Sequence, residues 1–181
     1  MSPLITLVPF EQVSFDLLAW LADELAGLLD GEIEIGPPLP LPASGYSKRR
    51  RQHLGSAILK TLQKPPYPVP GLALGFADAD CYAKGLNFIF GQAKFGGPAF
   101  VALPRLRPSF YGRPENQELF RERLLKEAIH ELGHAWGLYH CSAPECVMNF
   151  SNSLADTDRK GRRFCDRCRG ELVSLRIAGF R

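Results

Sequence analysis

At 181 residues, 45% hydrophobic and 23% charged, the chain has the length and balance of one globular domain and is too apolar for disorder over most of its length. Twenty-two Lys and Arg against 19 Asp and Glu leave a net charge of +3, too small by itself to mark a nucleic-acid binder. No uncharged apolar run reaches the roughly 18 residues of a membrane span, and MSPLITLVPF lacks the basic start of a signal peptide, so the expected location is the cytoplasm.

Residues 1–10 read as a buried strand, with Leu4, Ile5, Leu7 and Val8 showing little alternation. From Glu11 to Asp30, Leu17, Leu18, Leu21, Leu25, Leu28 and Leu29 recur at helical spacing, and Gly31 offers a stop. Glu32–Ile35 reads as a strand and Pro37–Pro42 as extended chain. A second helix is expected over Ser47–Gln63, ending before Lys64-Pro65-Pro66. Gly71–Ala77 and Leu86–Phe90 read as buried strands, with a polar loop from Asp78 to Gly85 between them. Ala99–Leu103, bracketed by Pro98 and Pro104, suits a sheet edge. A long helix is signalled from about Pro114, with Glu115 and Glu118 near its positive end. Phe120, Leu124, Ala128, Leu132 and Trp136, flanked by Leu125 and Ile129, make its buried stripe. Beyond His140 the period is lost until a short helix over about Cys165–Ile177, and this segment has so few large apolar groups that it needs a staple. The pattern is α/β, a mostly parallel sheet with an edge strand of opposite sense.

Seven of the nine Cys and His residues fall between His130 and Cys168. Five cysteines make an odd number, which suits metal ligation in a reducing compartment better than a disulfide framework. His130-Glu131-Leu132-Gly133-His134 is the HExxH pattern inside the long helix, where positions i and i+4 share a face and both imidazoles reach one ion. Glu131 projects beside them, placed to act on a water rather than to ligate. His140 follows Gly137 by three residues. Were the helix to continue, six further residues would carry His140 about 9 Å along the axis and about 600° around it. The chain must therefore turn back, and Gly137 can end a helix in the left-handed region. HExxHxxGxxH thus supplies three imidazoles and leaves an open position, the mark of a catalytic zinc.

This motif resembles the metzincin metallopeptidases. With His140-Cys141, Cys146-Val147-Met148 and Cys165-Asp166-Arg167-Cys168 behind it, the stretch from His130 to Cys168 is similar to the archaemetzincin family. The resemblance implies a catalytic zinc on His130, His134 and His140, Glu131 as general base, and Met148 as the methionine of a turn under the metal. It also implies a second zinc on Cys141, Cys146, Cys165 and Cys168. The expected fold is a compact metzincin-like α/β domain spanning 1–181. An N-terminal subdomain, 1–140, carries the twisted sheet and the zinc-bearing active-site helix; a small zinc-stapled C-terminal subdomain, 141–181, carries the methionine turn.

The cysteine spacing supports the second site independently, since two pairs of thiolates suit closed tetrahedral zinc whose binding folds a small segment. Arg159, Lys160, Arg162, Arg163, Arg167 and Arg169 could offset the thiolate charge. A redox CxxC at Cys165–Cys168 lacks the preceding strand that such motifs have, and Cys81 reads as a buried structural thiol. Because His140 adjoins Cys141, loss of the structural zinc should loosen the third catalytic ligand.

The expected activity is zinc-dependent peptide hydrolysis, with Ala99–Leu103 the candidate edge strand for substrate pairing. Two zinc ions per chain, a peptide substrate of short length or at a chain end, and a monomer with no membrane partner complete the expectation. The alternative is a non-catalytic zinc module contacting nucleic acid or a protein through Lys48–Arg51 and Arg159–Arg169. It leaves Glu131 beside three histidines unexplained, and Asp156, Asp158, Asp166 and Glu171 dilute the second cluster.

Overall fold

The computed structural model describes residues 4–29, 31–64, 71–175 and 177. Strand β1, Leu4–Pro9, sits inside the main sheet, which explains its near-continuous apolar run. Helix α1, Phe15–Leu28, starts where the Ser14 hydroxyl accepts the Leu17 N–H, and buries Leu18, Leu21 and Leu25. Strand β2, Glu32–Ile35, pairs parallel with β1 on one side; β5, Leu72–Ala77, pairs parallel on the other. Strand β8, Ala99–Ala102, continues the parallel run beside β5, and β7, Gly91–Ala93, closes it antiparallel, giving the order β2-β1-β5-β8-β7.

Alternation along these strands divides the core. Ile5, Leu7, Leu74, Phe76, Ala99 and Val101 face α1 and helix α3, Gln117–Ala135. Val8, Ala73, Ala77, Phe100 and Ala102 face helix α2, Gly55–Leu62, through Ile58, Leu59 and Leu62. The result is three layers, with α3 running under the β7–β8 end of the sheet.

Three expectations need correction. The helix expected over 47–63 forms only at Gly55. Before it, β3, Tyr46–Ser47, and β4, Gln52–Leu54, make a hairpin around the Lys48–Arg51 turn, where Arg51 takes φ 58°. The apolar face of this stretch begins with Ile58, so nothing upstream anchors a helix. Strand β4 pairs in turn with β6, Cys81–Tyr82, inside the expected 78–85 loop, and Cys81 is buried there as a structural thiol. The second error is at Leu86–Phe90, which is no strand. Ile89 makes an isolated bridge to Cys81 and the Phe90 carbonyl accepts the Ala102 N–H, but the apolar residues of this stretch wall a cleft instead of extending the sheet. Third, Ala99–Ala102 is not the edge. Pro98 and Pro104 lie outside the paired residues and block nothing, so β8 is hydrogen-bonded on both sides and fully buried. The edge on this side of the sheet is β7, and the opposite edge is β2.

In the C-terminal region, α4, Leu154–Arg159, was not foreseen; its Ser153–Asp156 capping box is too short a signal beside a polar loop. Helix α5, Asp166–Ser174, matches the expected short helix. The prolines at 65 and 66 lie outside the described residues, as do residues 30, 176 and 178–181. Among the described residues no helix is long and apolar enough to cross a membrane.

Candidate metal centre

Helix α3 starts on Asn116, whose side chain accepts the Leu119 N–H, and carries the predicted apolar stripe from Phe120 to Leu132 into the core. That packing fixes the rotation of the helix and turns His130, Glu131 and His134 towards the cleft beneath β7. The helix stops where foreseen. Gly137 takes φ 108°, its N–H donates to the His134 carbonyl, and the Leu138 N–H reaches back to Gly133. A Cβ on Gly137 would also lie 2.6 Å from the Phe95 ring. The reversal returns His140, whose ring centroid lies 4.8 Å from that of His134 and 5.4 Å from that of His130.

The donor pattern bears on whether this cluster suits a cation. Nδ1 of His130 lies 2.8 Å from the Val147 carbonyl, and Nδ1 of His134 lies 2.8 Å from the Leu138 carbonyl. A carbonyl can only accept, so each Nδ1 carries the proton and each Nε2 is left bare. The two bare Nε2 atoms face each other at 3.1 Å, an arrangement that repels unless a cation lies against both. Burial, then the neighbouring Lys160 and His134 charges, holds His130 well below the ordinary imidazole pKa; burial also lowers His134 and His140. The rings are therefore neutral, as metal ligands must be. The residues fit a divalent metal.

Glu131 is 5% exposed, and among the described residues its Oε2 has no hydrogen-bond partner. Burial, and secondarily Glu127, raises its pKa well above the carboxylate range against the opposing pull of Lys160. Its carboxyl rests against Gly91 of β7, where a Cβ would lie 2.6 Å from both Oε1 and the Phe100 carbonyl. Gly91 is a contact of Glu131 that sequence reasoning missed, since one glycine in a polar stretch gives no signal. Gly91→Ala should move the carboxyl and lower kcat by about 10²-fold with bound zinc unchanged; unchanged kcat would show that the strand yields instead.

Lys160 and Glu127 were also missed as a pair. Lys160 Nζ lies 2.9 Å from Glu127 Oε1, both side chains are buried, and the Thr157 hydroxyl donates to the same oxygen. The ammonium also lies 3.4 Å from His130 Nδ1, beneath the imidazole cluster. A buried cation is tolerated only with such a partner, but only the tertiary fold brings Lys160 to α3. Met148 is fully buried, with its sulfur against Gly133 inside the HExxH turn, where a Cβ would collide with it.

Cys141, Cys146, Cys165 and Cys168 gather as a second set, all four sulfurs within 4.8 Å of one another. Cys141–Cys165 and Cys146–Cys168 are each separated by 3.8 Å. Disulfide bonding requires about 2.05 Å, whereas the edge of a zinc–thiolate tetrahedron with bonds of about 2.3 Å is about 3.8 Å. The backbone N–H groups of Ala143 and Cys165 donate to Cys141 and Cys146 sulfurs, as they would to thiolates. Against the cost of burial, hydrogen bonds from Cys168 and neighbouring thiols bring the Cys165 pKa down to about 7. Of the six basic residues expected to offset this charge, Arg167 interacts with Cys141 and Cys168. Arg159 and Arg169 pair instead with Asp156 and Asp166, Arg162 with Glu24, and Lys160 with Glu127.

Comparison with known proteins agrees with this geometry. A profile described as Peptidase family M54 matches residues 68–174. The chain is 42% identical over 169 residues to the archaemetzincin of Methanocaldococcus jannaschii, covering 93% of this chain and 92% of that relative. Its structure is similar to that of the archaemetzincin from Methanopyrus kandleri, with TM-score 0.85, 36% identity, and 98% and 97% of the two chains covered. The archaemetzincin of Archaeoglobus fulgidus, solved in complex with malonate, aligns with TM-score 0.80 and 38% identity, covering 93% of this chain and 99% of that one.

Proposed function

The chain belongs to peptidase family M54, the archaemetzincins, and is a zinc metallopeptidase; from that premise we propose that His130, His134 and His140 hold its catalytic zinc and that Glu131 is its general base. Cys141, Cys146, Cys165 and Cys168 hold a second, structural zinc, which ties residues 141–181 to the rest of one catalytic unit. The observation that carries this reading is the pair of bare Nε2 atoms facing each other at 3.1 Å beside a buried carboxyl with an unpartnered oxygen.

Held by His130, His134 and His140, zinc would supply Lewis acidity towards the scissile carbonyl and a lowered pKa for water. The protein's part is positional and protonic. Glu131 takes a proton from the attacking water as the C–O bond forms, and delivers it to the amine as the C–N bond breaks. The Val147 and Leu138 carbonyls keep two imidazoles in the tautomer that leaves Nε2 free. Met148 is the floor of the site through its contact with Gly133. The half-buried edge strand β7, paired among the described residues with β8 alone, offers its other side to an extended peptide.

The cleft holding the imidazoles and Glu131 has a volume of about 440 Å³. That volume admits a few residues of an extended chain, and the substrates we propose are short peptides or chain ends. Incubating the zinc-loaded protein with a diverse peptide mixture should give mass-spectrometric cleavage at a restricted set of bonds, abolished by chelation and restored by zinc. Intact peptides after incubation with protein shown to hold zinc would overturn the reading.

A further inference from the structure

A second cavity, about 470 Å³, opens beside the histidine cleft and shares Phe88, Phe90 and Asn152 with it. It follows α3 towards its N-terminus, where Arg123 lines it. Arg123 stands seven residues before His130, about 10.5 Å along the axis.

The walls combine apolar surface from Phe90, Leu119 and Leu154 with three guanidiniums, Arg105, Arg113 and Arg123. The three differ in what they have left to give. Arg123 is committed, with two bonds of 2.7 Å to Asp158 and a third to the Leu106 carbonyl. Arg105 donates Nε and Nη2 to Asp80 at 2.6 and 2.8 Å, its plane lies over Phe88 and Phe110, and it also hydrogen-bonds with Tyr111, which together fix the group. Arg113 is exposed, and among the described residues no carboxylate pairs with it. Asp158 in the lining and Asp80 behind it offset two of the three charges, so the cavity keeps one positive charge in excess. An oriented guanidinium and an unpaired one in the wall of one partly apolar cavity suit an anionic planar group.

We propose that this cavity binds a carboxylate of the peptide, through Arg113 and with the positive charge of the fixed Arg105 in the same wall, on a residue near the cut bond. The inference rests on the peptidase reading above and narrows its substrates to peptides bearing an anion at that position. A free α-carboxylate or a glutamate side chain would supply the same chemistry. The first would make the enzyme act at chain ends, the second at glutamate inside a chain.

Calorimetric titration of the zinc-loaded full chain separates these sources. The probes are N-acetyl-Ala-Leu against its C-terminal amide, and N-acetyl-Ala-Glu-amide against N-acetyl-Ala-Gln-amide. One acid of the two pairs should bind about 10-fold more tightly than its neutral partner, and which pair does so identifies the source. Arg113→Gln should bring that ratio near one, and Arg113→Glu should reverse it; both changes lie at the surface and leave the core intact. Equal binding of acid and neutral partners overturns the proposal. So does a preference that survives both Arg113 variants, which would put the carboxylate on the histidine-site zinc. The same acid–neutral contrast, built into longer peptides, should appear in kcat/KM. Cleavage without any such contrast overturns the carboxylate assignment and leaves the peptidase reading standing. Selective binding, lost in Arg113→Gln, with no cleavage of any peptide does the reverse.

Discussion

Glu131→Gln should lower kcat/KM by about 10²–10⁴-fold, the contribution typical of a positioned acid–base group, while zinc content stays at the parental level. Glutamine keeps the volume that rests against Gly91 and so disturbs neither β7 nor the helix. It cannot take a proton, which is the property the buried, unpartnered Oε2 supplies. The two expectations together make the test specific. Glu131 lies outside the metal-capable set of three histidines, so removing its charge should not empty the site. A fall in zinc content with activity would turn Glu131 into a ligand or a prop for one. Activity within a few-fold of the parent would remove it from the mechanism. Loss of rate at constant zinc, with substrate KM little changed, is the result that the geometry predicts.

What could be read from the sequence was whatever depends on local spacing. HExxH within a helix of apolar stripe fixes two imidazoles on one face. The demand that His140 return fixes the need for a reversal at Gly137, and the structure provides it with φ 108°. The four cysteines, spread over 28 positions, also converge, because a paired spacing is a tertiary statement written in local form. Illegible were the features made by contact between distant segments. Gly91 matters because Glu131 presses on it, and Lys160 because Glu127 and His130 lie above it. The edge strand was misplaced for a related reason. Prolines mark where backbone donors are missing, but Pro98 and Pro104 stand just outside β8, and the strand that completes the sheet, Gly91–Ala93, is too short and mixed to show a period. Leu86–Phe90 shows the limit of apolarity as a signal, since a cleft wall and a buried strand use the same residues.

Cys165→Ser should remove the thiolate-bound zinc, lower the thermal midpoint by about 10 °C or more, and weaken zinc at the histidines by about 10–100-fold. Cys165 is the N-cap of α5, a position that serine fills well, so the substitution preserves the helix start and isolates the loss of a ligand. The first effect follows because few apolar side chains hold residues 141–175; structural zinc is worth about 10–16 kcal/mol in small domains that depend on it. The second follows from the covalent and hydrogen-bonded junction between the two clusters. Cys141 adjoins His140 and its N–H donates to the Met148 carbonyl. Cys146 adjoins Val147, whose carbonyl accepts from His130 Nδ1 and whose N–H donates to the Arg163 carbonyl. Freeing the sulfurs therefore loosens both His140 and the carbonyl that sets the His130 tautomer, whereas His134, held by Leu138, stays in place. Zinc affinity at the histidines is the deciding measurement. Should competitive chelation show it unchanged while the thiolate zinc is gone, the two centres are independent and the cysteine site only stabilises the segment that carries it. If it falls with the loss of one sulfur, the structural zinc is part of the apparatus that places the catalytic ligands.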